Sequence, residues 1–297
     1  MTQLIWNGVF VGSFYALVAL GYSMVYGIIK LLNFAHGDIY MVGAFAGFAM
    51  LTAFGGAIAG GTIVVLLVVL VLSMLGTGVF GVLLERVAYR PVRNAPRLNA
   101  LITAVGASFT IEYGMSLVAG PNPRVYPVQL SGTAFKVLGA RINAQQVILL
   151  VVAIILMVGM NLWVIRTRSG RAMRAISQDP KACLYMGVKV DNVISWAFFI
   201  GSALAGAAGV MAGAYFGSIT FLMGFIIGLK AFTAAVIGGI GNIPGAMLGG
   251  ILLGLLESFG TAWLGGQWRD VFTFVVLILL LTVRPTGLLG ERVTERV

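Results

Sequence analysis

Residues 39–84, lying between Asp38 and Glu85, contain no charged side chain. As a single helix these 46 residues would reach about 69 Å at 1.5 Å per residue. That is more than twice the roughly 30 Å hydrocarbon core of a bilayer. The run must therefore fold back, and Gly55-Gly56 through Gly60-Gly61 supply the break. Two spans follow, near 39–59 and 62–84. Similar spacing places others near 1–29, 98–119, 145–165, 193–215, 222–240 and 244–263. A last, shorter apolar run covers 271–283, so the spans number eight without it or nine with it. With 60% hydrophobic and 9% charged residues, the chain cannot cover a water-soluble surface. The expected fold is all-α: a polytopic transmembrane helical bundle forming a single domain over residues 1–297, with broken helices. The first apolar run has no basic flank before it and no clean cleavage site after it, so it reads as a retained helix.

Basic residues collect in cytoplasmic loops. Arg86, Arg90, Arg93 and Arg97 separate the third and fourth spans, while Arg166, Arg168, Arg171, Arg174, Lys181 and Lys189 separate the fifth and sixth. Arg284, Arg292 and Arg296 mark the tail. With these inside, Lys30 also falls inside, the N-terminus lies outside and the C-terminus is cytoplasmic. Fourteen of the 19 basic residues then lie on one side. The net charge of +10 is therefore topology, and no aromatic-interleaved basic patch points to nucleic acid. One cysteine and one histidine exclude a disulfide framework and multi-histidine metal chemistry.

Glycine stripes at four-residue spacing run through Gly201, Ala205, Gly209, Gly213 and Gly217. They recur at Gly245/Gly249 and Gly250/Gly254. Such stripes let helix backbones approach closely in lipid, and some can also line a pathway. Ionisable groups at membrane depth face a partner or a cavity; here they are Glu112, Lys230 and Glu257. The run Leu31–Asp38 is polar between two apolar spans. Asp38 is placed to cap the second helix, and His36 reads as a hydrogen-bonded interfacial side chain or a pathway residue. Asn33, Ser108 and Asn242 are further lining candidates. The Gly238–Gly250 stretch is either a broken helix beside a pathway or a tight turn at the cytoplasmic surface.

Residues 166–192 form the main cytoplasmic segment. Asp179-Pro180 is a helix start and Gly187 suits a left-handed stop, leaving a helix of about two turns over 180–186. A second short helix precedes it over Gly170–Gln178, with Ser169 as its cap. Helices this short are marginal alone. They nevertheless carry Met173, Ile176, Leu184, Tyr185 and Met186, which suit docking on another protein or resting on lipid headgroups. The chain lacks a phosphate-binding G-x-x-x-x-G-K-[ST] loop, a G-x-S-x-G elbow and H-E-x-x-H, so an enzyme or a self-contained ATPase is disfavoured.

Three segments carry a resemblance that extends over nearly the whole chain: Leu31–Asp38 (LLNFAHGD), Gly170–Val190 (GRAMRAISQDPKACLYMGVKV) and Leu229–Gly250 (LKAFTAAVIGGIGNIPGAMLGG). They resemble the membrane permease of branched-chain amino acid ABC importers, of the LivH type. The resemblance implies a bacterial inner-membrane protein that passes amino acids delivered by a periplasmic binding protein. Its partners would be a second, LivM-like permease and two ABC ATPase subunits, and lipid would surround it. ATP and Mg would be bound by the ATPases, with no cofactor in this chain. The segment matching Asp179–Gly187 would be the coupling helix, with Asp179, Pro180, Ala182, Leu184, Tyr185, Met186 and Gly187 facing the ATPase. The pathway would draw on Asn33, His36, Ser108, Glu112, Asn242 and Glu257. The extracytoplasmic loop 120–145, with Pro121, Pro123 and Pro127, would meet the binding protein. Similar permeases carry urea or short amides. A stand-alone proton-coupled transporter using Glu112 or Glu257 is the reading from a different class.

Overall fold

The computed structural model describes residues 1–53, 62–128, 134–137, 139–284 and 286–290. The glycine break expected at 55–61 and the tail residues Arg292 and Arg296 lie outside the described residues. The chain is nearly all helical. In order come α1 (Thr2–Ile29), α2 (His36–Ala53), α3 (Thr62–Leu84), α4 (Arg90–Val92), α5 (Arg97–Ala119), α6 (Ala144–Arg166), α7 (Arg168–Gln178) and α8 (Pro180–Tyr185). They are followed by α9 (Val190–Phe216), α10 (Met223–Gly238), α11 (Ile243–Leu264) and α12 (Arg269–Val283). A π-helical turn, Glu85–Tyr89, joins α3 to α4.

Among the described residues, seven helices are long and apolar enough to cross a membrane. The chain is thus a multi-pass integral membrane protein. Helix α1 is its axis. It is apolar on every side and almost wholly buried, as expected for a helix enclosed by others. Helices α9, α10 and α11 pack around it. The glycine stripes act as packing surfaces: a Cβ on Gly254 would lie 2.3 Å from the Gly8 carbonyl oxygen, and one on Gly209 2.1 Å from that of Tyr40. Helices α3, α5, α6 and α12 form the periphery and turn Val79, Leu117, Ile155 and Ile278 outward, the surface that lipid requires.

The bundle has two chemically different ends. One carries α7, α8 and most of the arginines. The other carries four short strands, β1 (Arg124–Val125), β2 (Ala134–Val137), β3 (Ala140–Asn143) and β4 (Ser218–Ile219), which the all-helical expectation did not include. Strand β1 pairs with β4 and β2 pairs with β3, both antiparallel. The first ribbon satisfies backbone groups of the chain leaving α9, and Tyr126 N–H adds a 2.9 Å bond to the Gly217 carbonyl.

An inverted internal repeat organises the centre. Residue 37 corresponds to residue 224, and the same offset of 187 aligns Phe34 with Phe221, Ile39 with Ile226, Ala44 with Ala231 and Phe45 with Phe232. Helices α1 and α9 both end on a left-handed residue, Lys30 (φ 53) and Gly217 (φ 71). Each is followed by a turn in which the first amide of the next helix bonds three residues back: His36 N to Asn33 O at 3.0 Å, and Met223 N to Thr220 O at 3.3 Å. The halves run in opposite directions. Helix α2 rises toward the strand-bearing end and α10 descends from it, yet their first turns touch. A Cβ on Gly37 would meet Gly224 O at 2.3 Å and Gly228 Cα at 2.5 Å. Both helices therefore start inside the bundle. Helix α10, at 16 residues, is accordingly shorter than the seven.

Candidate functional site

The meeting point of α2 and α10 collects most of the polar residues singled out in the sequence. Asn33, His36, Asp38, Ser108 and Glu112 are all buried. Asp38 lies in the first turn of α2 and not before it. Its carboxylate therefore reaches across to α5, where Ser108 Oγ donates to Oδ2 at 2.5 Å, instead of capping its own helix as expected. Its other oxygen, Oδ1, has no partner and points at Gly224, where a Cβ would sit 2.7 Å away. His36 packs edge-on against Tyr22 (ring centroids 4.8 Å apart) and leaves Nε2 unbonded. The Tyr89 hydroxyl donates to Asn33 Oδ1 at 2.6 Å, leaving the amide nitrogen free. Tyr89 reaches inward because of the π-helical turn, whose extra residue rotates it off the α3 register. Glu85 of the same turn is also buried and accepts from Ser195 Oγ at 2.8 Å. Sequence reading missed both residues; the charge on Glu85 had simply marked the end of a span.

Glu257 lies elsewhere, at the centre of an ionic network that joins four helices. Lys230 of α10 reaches its Oε1 at 2.5 Å, and Arg269 Nε of α12 reaches the same oxygen at 2.7 Å. The Tyr15 hydroxyl of α1 donates to Oε2 at 2.5 Å, and Asp270 holds Lys230 from the other side at 2.6 Å. Two cations and two carboxylates balance, as burial demands. The sequence identified Lys230 and Glu257 as needing partners. Tyr15 and Asp270 were missed, since nothing local announces them.

The arginine-rich end is built as its local signals indicate. Asp179 Oδ1 accepts from the Lys181 and Ala182 amides at 2.8 and 3.0 Å, and Pro180 opens α8. Gly187 (φ 80) ends it, with Val188 N bonding back to Cys183 O at 3.0 Å. One correction concerns α7. Thr167, not Ser169, is its cap, with Oγ1 accepting from Gly170 N at 3.0 Å, because α6 runs to Arg166 and leaves Thr167 as the extended residue. Cys183 and Ile176 face inward, whereas Leu184, Tyr185 and Met186 are 58%, 90% and 83% exposed. Arg90 and Arg93 both bind Asp191, tying the start of α9 to α4. A cavity of about 1010 Å³ opens between Arg93, Ile176, Pro180, Leu184 and Asp191.

Asn242 closes the tight turn between α10 and α11. Its side chain accepts from Gly245 N at 2.8 Å and donates to Leu289 O at 2.8 Å. It also borders a cavity of about 410 Å³ with Ser23, Lys30, Arg174 and Gln178. At the opposite end, Tyr126 of the 120–145 loop wedges between α2 and α9, against Gly47 and Gly213. Burial there pushes its phenol pKa up. Among the described residues, no group of three or more His, Cys, Asp or Glu side chains is placed to hold a metal ion.

Compared with known families, residues 4–281 match the one described as branched-chain amino acid transport system / permease component. The chain belongs to that family. The permease is 43% identical over its whole length to the high-affinity branched-chain amino acid transport system permease protein BraD of Pseudomonas aeruginosa, covering 98% of that protein. It is 42% identical to LivH of Escherichia coli K12, over 99% of this chain and 97% of the relative. A probable branched-chain amino acid transport permease of Methanocaldococcus jannaschii is 26% identical over 92% of the permease and 88% of its own length. No solved structure matches the permease.

Proposed function

We propose that this permease is the membrane-spanning subunit of an ABC importer for branched-chain amino acids in the bacterial inner membrane. The observation that carries the reading is α8. A two-turn helix, fixed at both ends by side-chain and backbone caps, holds Leu184, Tyr185 and Met186 out into solvent at the arginine-rich end. Three adjacent exposed apolar side chains on so short and rigid an element suit insertion into a protein groove. That groove belongs to a separate ATPase, since the permease has no phosphate-binding loop of its own.

The full-length helices α1, α3, α5, α6, α9, α11 and α12 run between the two ends, with the half-helices α2 and α10 between them. The basic end faces the cytoplasm, with the N-terminus outside and the C-terminus inside. A periplasmic binding protein delivers the amino acid to the strand-bearing end, a second permease completes the pathway, and two ATPases grip the α8 helices of the pair. ATP-driven closure of the ATPases moves α8. The short link from Met186 to Lys189 carries that motion into α9, the Asp191 pairs with Arg90 and Arg93 pass it to α4, and the inverted repeat alternates between outward- and inward-facing states.

The test is reconstitution of the purified complex in proteoliposomes with its binding protein. ATP-dependent leucine uptake is expected. Uptake by the permease alone in a proton gradient would overturn the reading in favour of a secondary transporter. Uptake of urea or short amides without leucine would overturn the substrate.

A further inference from the structure

The junction of the two half-helices holds two acidic side chains and, among the described residues, no cation paired with them. Asp38 is fully buried, with Oδ1 unpartnered, and Glu112 lies one turn along α5 from Ser108. Among the described residues, no lysine, arginine or histidine forms an ion pair with either carboxylate. Elsewhere the molecule treats such groups differently: Glu257, equally buried, receives two cations and a phenol. A carboxylate left alone at membrane depth is costly and marks a place where a positive group is received. Facing Asp38 is the first turn of α10, whose amides have no partners within the helix and lie at its positive end. Gly224 and Gly228 leave that turn without side chains, so Gly37 and the Asp38 carboxylate of α2 pack directly on its backbone. Asn33 Nδ2 is a further buried, unpartnered polar atom on the α2 side, while His36 Nε2, also unpartnered, lies against Gly21 of α1.

We propose that this junction is a waypoint for the zwitterionic head of an amino acid. Asp38 Oδ1 takes the ammonium, and the first-turn amides of α10 at Gly224 and Phe225 take the carboxylate. The inference rests on the reading of the chain as an amino acid permease and names the place where the solute is held in transit. Donor and acceptor lie on opposite halves of the inverted repeat. Movement of one half against the other therefore separates them and releases the ligand.

The test uses the complete importer in proteoliposomes and compares leucine uptake with ATP hydrolysis stimulated by loaded binding protein. Asp38→Asn keeps the shape and the Ser108 contact but removes the charge. The expected result is about a tenfold fall in leucine moved per ATP, the loss of roughly one charge-assisted hydrogen bond, with stimulated hydrolysis within about twofold of wild type. Ser108→Ala, which frees Oδ2, should lower the same ratio less. If Asp38→Asn fails to assemble, Ser108→Ala decides the matter, and an unchanged ratio overturns the inference. An unchanged ratio in Asp38→Asn overturns it too, as does a parallel fall of uptake and hydrolysis, which would make Asp38 purely structural. Uptake that is lost when choline replaces sodium would assign the carboxylate to a coupling ion instead. A wild-type importer that takes up no branched-chain amino acid would overturn the functional reading along with the inference. An active wild type with an indifferent Asp38→Asn overturns the inference alone.

Discussion

Removing Glu257 tests whether the ionic network holds α12 onto the bundle. Glu257→Ala deletes the acceptor of Lys230, of both Arg269 contacts and of the Tyr15 hydroxyl. Deleting one partner of a buried pair costs about 3–5 kcal/mol, because the surviving charge stays buried. Two features set the value at the low end. Lys230, 4% exposed, keeps Asp270 at 2.6 Å, and the Arg269 side chain, 32% exposed, can turn to water. The expected loss is therefore about 3 kcal/mol. For a chain of this size that corresponds to a fall of about 6–12 °C in Tm. Thermal unfolding of the purified protein in detergent, followed by the fluorescence of Trp263 and Trp268, reads it directly. The double change Glu257→Leu with Lys230→Met removes both charges and fills the space with apolar groups. It should lie nearer to wild type than either single change. A Glu257→Ala protein melting within about 2 °C of wild type would refute the reasoning, as would strictly additive single effects.

Leu184→Glu places a charge on the exposed face of α8 and should abolish co-purification of the ATPases, while membrane insertion and Tm stay at wild-type values. Asp179→Ala removes two amide acceptors at the start of α8 and should destabilise that helix by about 1 kcal/mol, seen as faster amide exchange over 180–186 and weaker ATPase association. Gly37→Ala drives a methyl group into the α10 backbone 2.3 Å away and should cost about 1–3 kcal/mol and most of the uptake, whereas Gly106→Ala, with nothing within 4 Å, should be silent in both assays.

The spacing of charges made the helical passes legible, because each apolar run had to end where a charge or a glycine cluster could meet water. Helix α8 was equally legible. Asp179, Pro180 and Gly187 act on their own neighbours, so their effect survives without tertiary context. Long-range partners were not legible. Lys230 and Glu257 each declared a need, but Tyr15, 242 residues from Glu257, carries no sign of its role. Asp38 shows the same limit on a smaller scale. An aspartate after a polar loop suggests a cap, but the turn from Asn33 to His36 starts the helix two residues earlier and frees the carboxylate to meet α5. The inverted repeat was hidden for another reason. Most of its matching positions are Phe, Gly, Ile and Ala, residues too common in membrane helices to draw the eye, and only the paired left-handed residues Lys30 and Gly217 make the register plain.

What the two halves share and what they do not share have different physical meanings. The matched residues are those a half-helix needs: a glycine for close approach at 37 and 224, a phenylalanine to anchor the turn at 34 and 221, and small or apolar residues to pack along the helix. The unmatched ones carry charge or hydrogen-bonding groups. Asp38 corresponds to Phe225, His36 to Met223, and Lys230 to Gly43. A symmetric frame with identical chemistry on both halves would present two equal faces to a solute. An amino acid head has two unequal ends, one ammonium and one carboxylate. A frame that is symmetric in backbone and asymmetric in charge can hold such a head in one orientation and still move as two equivalent halves. Placing a carboxylate at Phe225, which is 47% exposed in the first turn of α10, would add a negative charge beside the amides assigned to the solute carboxylate. Phe225→Asp is therefore expected to abolish leucine transport in the reconstituted importer while sparing ATPase association, since position 225 lies far from α8. Leucine uptake at the wild-type rate in that variant would refute the assignment of opposite charges to the two halves.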